Sequence, residues 1–87
     1  MSKMIINHKV ADFNTWKSAY DSVDGVRMKY GCTEAYVFRG HANPNELVII
    51  THWGNTDQAR SYSQSPEIKE AMKNGGITGT PNIYFVD

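Results

Sequence analysis

The pattern of apolar and polar residues changes its period early in the chain. Apolar and polar residues alternate in part over Met4–Val10, which predicts a strand with Ile6 and His8 on one face. From Asp12 to Tyr30 aromatic and aliphatic residues recur every three or four positions, which predicts one helix that ends at Gly31.

Two further apolar runs follow and are separated by a short polar turn around Pro44. The runs Cys32–Arg39 and Glu46–Trp53 therefore predict a β-hairpin. The second of these strands contains the run Leu-Val-Ile-Ile and is expected to be the most buried of the sheet.

The last third of the chain predicts a second helical region, a loop and a final strand. The helical region begins at Asn55 and is expected to break near Ser65, because Ser-Pro-Glu is typical of a new helix start. Helical spacing places Tyr62 and Met72 on its inner side. The glycine-rich stretch Lys73–Pro81 predicts a loop, and Asn82–Val86 predicts the last strand.

This order of elements predicts one α+β domain over residues 1–87. Two right-handed crossovers give the ferredoxin-like βαββαβ sandwich, whose four-stranded antiparallel sheet has the order 4-1-3-2. Both helical regions then cover one face of the sheet. The other face carries apolar residues without a cover, and a chain this short buries only about 60% of its unfolded surface. We therefore expect a homodimer through the open faces.

Composition excludes several classes of partner. Nine Lys and Arg balance nine Asp and Glu, and no basic stretch stands out, so neither nucleic acid nor an anionic membrane is an expected partner. No apolar run approaches the length that spans a membrane, and no signal peptide is evident, so a cytoplasmic location is expected. Cys32 is the only cysteine, which rules out an internal disulfide.

The junction between the first strand and the first helix is the candidate site. His8 titrates near neutral pH and can take or donate a proton, and it ends a strand next to an aromatic helix face. A cavity between helices and sheet is expected there, near the glycine-rich loop. The predicted ligand-binding residues are His8, Trp16, Tyr20, Tyr62, Met72 and Ile77.

Other interpretations of these residues stay open. His8 could be an ordinary core histidine and Trp16 ordinary core. A zinc site of His8, His41 and Glu46 is conceivable, but no spacing demands it, and no metal is expected. Arg27 is expected to pair with a carboxylate rather than to contact a ligand. The glycine-rich loop follows a helix and precedes a strand, which is the wrong order for a phosphate loop.

Several residues together resemble a known family. They are His8, Val10, Asp12, Phe13, Trp16, Arg27, Asn43-Pro44-Asn45-Glu46, Trp53, Ala59, Ser65-Pro66, Met72, Gly76-Ile77, Gly79 and Pro81. Their spacing resembles that of the antibiotic biosynthesis monooxygenase-like group of the dimeric α+β barrel superfamily. The resemblance implies a homodimer with a small-molecule site between sheet and helices in each protomer. Members of the group include cofactor-free monooxygenases and haem-degrading enzymes.

The haem-degrading branch fits the sequence poorly. Asn7 matches the Asn that this branch has in the first strand, but Tyr62 stands where it has Trp and Met72 where it has the iron-binding His. If the strand is regular, His8 and Asn7 point to opposite faces, and we place His8 in the pocket.

Three functions therefore remain. The first is an enzyme without cofactor, an oxygenase or isomerase, in which His8 acts on an enolisable carbonyl compound such as a polyketide-like ring or a long acyl chain. The second is a binding protein for such an apolar compound, without catalysis. The third is a structural or stress-related dimer that binds no ligand.

Overall fold

The computed structural model describes residues 1–87 and contains four strands and four helices. Their bounds are β1 (Ser2–Val10), α1 (Phe13–Ser22), α2 (Asp24–Tyr30), β2 (Cys32–Arg39), β3 (Glu46–Trp53), α3 (Thr56–Ser63), α4 (Pro66–Asn74) and β4 (Ile77–Val86).

The four strands form one antiparallel sheet in the order β2-β3-β1-β4. This is the predicted order 4-1-3-2, and the ferredoxin-like α+β fold is confirmed. β1 pairs with a neighbour on each side. Opposite β3, His8 faces Leu47 while Lys3 faces His52, so the two histidines lie at opposite ends of the sheet.

The prediction of one helix over Asp12–Tyr30 is wrong, because the helix breaks at Val23. This residue has φ −108° and ψ 16°, outside the helical region, and it separates α1 from α2. The Ser22 hydroxyl donates to the carbonyl of Ala19, a local bond that competes with continued helix. The predicted stop at Gly31 is confirmed, since that glycine has φ 108° at the end of α2.

The last strand begins earlier than predicted and absorbs most of the expected loop. β4 starts at Ile77, and a register shift against β1 falls between the pairs Asn7–Asn82 and Lys9–Thr78. The extra residues include Gly79, with φ 77°, and Pro81. A bulge on an edge strand tolerates both residue types, which the sequence pattern alone assigns to a loop.

The second helical region is divided as predicted. Asn55 caps α3 by accepting the backbone N–H of Gln58 at 2.9 Å. Ser65 caps α4 by accepting the N–H of Ile68 at 3.3 Å, with Pro66 at the first helical position.

Two apolar clusters fill the space between the sheet and the helices. The larger cluster consists of Met4, Trp53, Ala59, Tyr62 and Ile68, and the smaller one of Val10, Trp16, Leu47 and Ile49. Ile6 packs against both. None of the four helices has the length and hydropathy needed to cross a membrane.

Candidate functional site

A small cavity of about 40 Å³ lies where the two apolar clusters meet. The sheet forms its floor. Alternation along β1 turns Met4, Ile6 and His8 toward the helices, and β3 contributes Ile49 and Thr51. The Thr51 hydroxyl is already paired, since it donates to the Met4 carbonyl and accepts from the Trp53 indole N–H.

All four helices contribute to the roof of the cavity. Their lining residues are Trp16 and Tyr20 from α1, Arg27 from α2, Tyr62 from α3, and Ile68 and Met72 from α4. The break at Val23 allows α1 and α2 to face the same cavity at different angles.

The structure brings five of the six predicted site residues together, and these are His8, Trp16, Tyr20, Tyr62 and Met72. The sixth, Ile77, lies outside the lining. It pairs with Val10 at the start of β4 and packs against the smaller cluster. Its position follows from the early start of β4. The stretch that was predicted as a loop over the pocket is a strand of the sheet instead.

Arg27 is the one charged residue among the lining residues that the sequence prediction left out of the site. Its side chain is 3% exposed and lines the cavity. A signal was available in the helical spacing, because Tyr20, Val23 and Arg27 are three and four residues apart and so share the inner face.

A continuous stack connects His8 to Arg27 along the helical wall. The His8 ring lies edge-on to Trp16 at 5.7 Å, and Trp16 stacks on Tyr20 at 4.7 Å between ring centroids. The guanidinium carbon of Arg27 lies 3.7 Å from the centroid of the Tyr20 ring, which is cation–π geometry. The cavity therefore has an imidazole at one end of this stack and a cation at the other.

Four buried side-chain polar atoms form no hydrogen bond of good geometry, and all four belong to residues that line this cavity. They are His8 Nδ1, Tyr20 Oη, Arg27 Nε and Tyr62 Oη. Leaving such a group unpaired costs about 1–3 kcal/mol, so chance packing does not readily explain four around one cavity.

Burial sets the protonation state of these groups. It lowers the pKa of His8 from its ordinary value of 6.5, so the ring is neutral at pH 7. Burial raises the pKa of Tyr20 to about 12, and it also raises the pKa of Tyr62, with the Arg27 guanidinium opposing the shift. The cavity thus offers a neutral imidazole, two un-ionised phenols and a guanidinium.

Asn7 lies on the other face of β1, away from the cavity. Its side-chain amide donates to the Leu47 carbonyl at 3.0 Å. Asn7 borders a polar groove with Lys9, Glu46 and Asn82, and His8 lines both this groove and the cavity. No group of three or more His, Cys, Asp or Glu side chains is arranged to hold a metal ion.

Comparison with known proteins gives one family and one fold. The family model for antibiotic biosynthesis monooxygenase matches residues 12–74. No curated protein matches the sequence.

Several solved structures share the fold at low sequence identity. A candidate antibiotic biosynthesis monooxygenase from Bordetella bronchiseptica has a TM-score of 0.85 at 15% identity, over 99% of this chain and 94% of that chain. A conserved protein from Methanosarcina mazei Go1 has a TM-score of 0.79 at 16% identity, over 97% and 88%. SnoaB, a cofactor-independent oxygenase from Streptomyces nogalater, has a TM-score of 0.76 at 14% identity, over 95% and 89%.

The buried His8 ring predicts a specific pH dependence of stability. Unfolded histidine takes up a proton near pH 6.5, whereas folded His8 does so only at lower pH, so the unfolded state binds more protons between the two pKa values. The free energy of unfolding should therefore fall as pH drops below about 6.5. Denaturant unfolding from about pH 8 to about pH 5 measures this.

The variant His8→Gln should lose this part of the pH dependence. His41→Gln, in the exposed hairpin turn, is the control and should keep it. Parallel stability profiles for the wild type and His8→Gln would contradict the assignment.

Proposed function

Since the chain belongs to the antibiotic biosynthesis monooxygenase family, we propose that the cavity binds a small apolar carbonyl compound and oxidises it without a cofactor. The observation that carries this proposal is the set of four unpaired polar atoms around one apolar cavity. A ligand that is mostly apolar and has a few oxygen atoms would satisfy both the walls and these atoms.

Binding requires the cavity to expand. Its present volume of about 40 Å³ accommodates water, whereas a cavity that holds a benzene-sized ligand has about 150 Å³. The roof is suited to such a change, because it consists of four short helices separated by breaks at Val23 and near Ser65. Met72 is only partly buried and its unbranched side chain adopts many shapes, so it is a natural part to move.

His8 is the proposed catalytic base. The unpaired Nδ1 of the neutral ring would accept the hydroxyl proton of the substrate's enol tautomer, which leaves an enolate. The enolate would transfer electrons to dioxygen and form a carbon–oxygen bond, and the resulting peroxide would take the proton back from His8 to give a hydroperoxide. Loss of water then converts the CH₂ group next to the substrate carbonyl to a ketone. One oxygen atom enters the product and the other leaves as water. The substrate supplies all four electrons.

The bicyclic ketone 2-tetralone, which is apolar and enolisable, is a suitable probe. We expect it to bind, and we expect His8→Gln to weaken binding about 5- to 30-fold, which corresponds to the loss of one hydrogen bond of about 1–2 kcal/mol. Calorimetry measures the affinity and an oxygen electrode measures turnover. His41→Gln should behave like the wild type.

The outcomes of this experiment separate the candidate functions. Oxygen uptake that depends on His8 supports the oxygenase. Binding without uptake supports a non-catalytic binding protein. Absence of binding, or equal affinity for the wild type and His8→Gln, contradicts the proposed site.

We also propose that the protein works as a homodimer through the outer face of the sheet. Phe38 faces Val48 and Tyr84 faces Ile5 across neighbouring strands, on the side opposite the helices. Phe38 and Tyr84 are 52% and 55% exposed. A second copy placed on this face would remove a continuous apolar surface from water.

A charge on this face should separate the dimer. Light scattering at micromolar concentration is expected to give twice the chain mass for the wild type. Phe38→Glu should give the single-chain mass, because a buried, unpaired carboxylate is costly. Met28→Glu is the matched control, since Met28 is also exposed and apolar but lies on α2. A monomeric wild type, or a dimer that survives Phe38→Glu, would refute this interface.

A further inference from the structure

The guanidinium of Arg27 is a permanent positive charge in a mostly apolar cavity. The residue is 2% exposed, and the eleven residues that line the cavity include no Asp or Glu. A buried charge is normally paired, because taking it out of water costs several kcal/mol. Because no lining residue is an acid, the group that balances the charge of Arg27 bears directly on what the cavity binds.

The protein itself neutralises Arg27 only weakly. One terminal nitrogen lies 3.2 Å from a carboxylate oxygen of Asp24, whose side chain is 67% exposed. The other donates to the backbone carbonyl of Tyr20 at 2.9 Å. Nε is buried and has no partner. The side-chain neighbours of the cation are thus the neutral Tyr62 hydroxyl and one solvent-screened carboxylate, and neither balances its charge fully.

We propose that Arg27 makes the cavity selective for a planar apolar carboxylate, whose charged end lies at the guanidinium. This inference rests on the proposed function, because it assumes that the cavity is a ligand site. Guanidinium and carboxylate form charge-assisted hydrogen bonds that are roughly twice as strong as neutral ones. The Trp16 and Tyr20 rings stack on each other, so a ligand meets their edges, and aromatic edges favour a flat aromatic hydrocarbon body between the two ends.

The positions of the two ends define the substrate class more closely. His8 and Met4 are four residues apart on β1, about 13 Å in an extended strand, so the floor of the cavity is elongated. A flat acid with its carboxylate at Arg27 and an enolisable carbonyl near His8 would satisfy both ends. In this arrangement Arg27 determines specificity and orientation, whereas His8 is the catalytic residue.

Benzoate and benzamide provide a direct test, because they share shape and size and differ in charge. Nuclear magnetic resonance titration of the wild type should show that benzoate binds at least about tenfold more tightly than benzamide. Arg27→Met keeps an unbranched side chain and removes the guanidinium, so it should abolish this preference. Arg27→Lys should retain part of it.

The ratio of the benzoate and benzamide affinities shows whether Arg27 selects the charged ligand or only supports the fold. A merely structural role for Arg27 would change both affinities alike. Arg60→Met is the control, because Arg60 is an exposed cation beside Phe85 and outside the cavity, and its ratio should equal that of the wild type. If Arg27→Met does not fold, the wild-type ratio and Arg27→Lys still decide the question.

Equal or weaker binding of benzoate than of benzamide would overturn the inference and leave the neutral-carbonyl site intact. Failure of benzoate to bind would also overturn it. Failure of the proposed function is recognised separately, by the absence of 2-tetralone binding.

Discussion

The pairing of β1 between two other strands is the constraint on which the site depends. β3 pairs with β1 along its length, and β4 pairs with it before and after the bulge opposite His8. The alternation of β1 therefore turns Met4, Ile6 and His8 into the layer beneath the helices. A slip by one residue would exchange this set for Ile5 and Asn7 and expose the core. The imidazole is therefore held in an apolar environment by the same hydrogen bonds that hold the sheet together.

Short helices determine what the imidazole faces. An unbroken first helix would continue in one direction from Trp16, whereas the break at Val23 lets Arg27 fold back over Tyr20. The Tyr20 ring face and carbonyl offset part of the cost of burying the guanidinium. An apolar side chain at position 27 would fill the same space at lower cost, so stability alone does not account for arginine there.

The sequence predicted the sheet order, the bounds of β2 and β3, and the inner face of β1, because hydrophobic period and turn chemistry are local signals. It did not predict that the first helix ends at Val23, because neither glycine nor proline stands at that position. It also assigned Gly79 and Pro81 to a loop, because a bulge is evident only once the pairing partner is known. The second error explains why Ile77 was placed in the site. Arg27 was left out of the site because it was expected to pair with a carboxylate, although helical spacing places it on the inner face.

The central claim is that the cavity is a ligand site rather than an imperfection of packing. A crystal structure with 2-tetralone at saturating concentration tests it most directly. The account predicts the ketone between Trp16 and Met72, its oxygen within hydrogen-bond distance of His8 Nδ1, and a roof displaced to enlarge the present 40 Å³. An unchanged cavity, with only ordered water joining His8, Tyr20 and Tyr62, would contradict it.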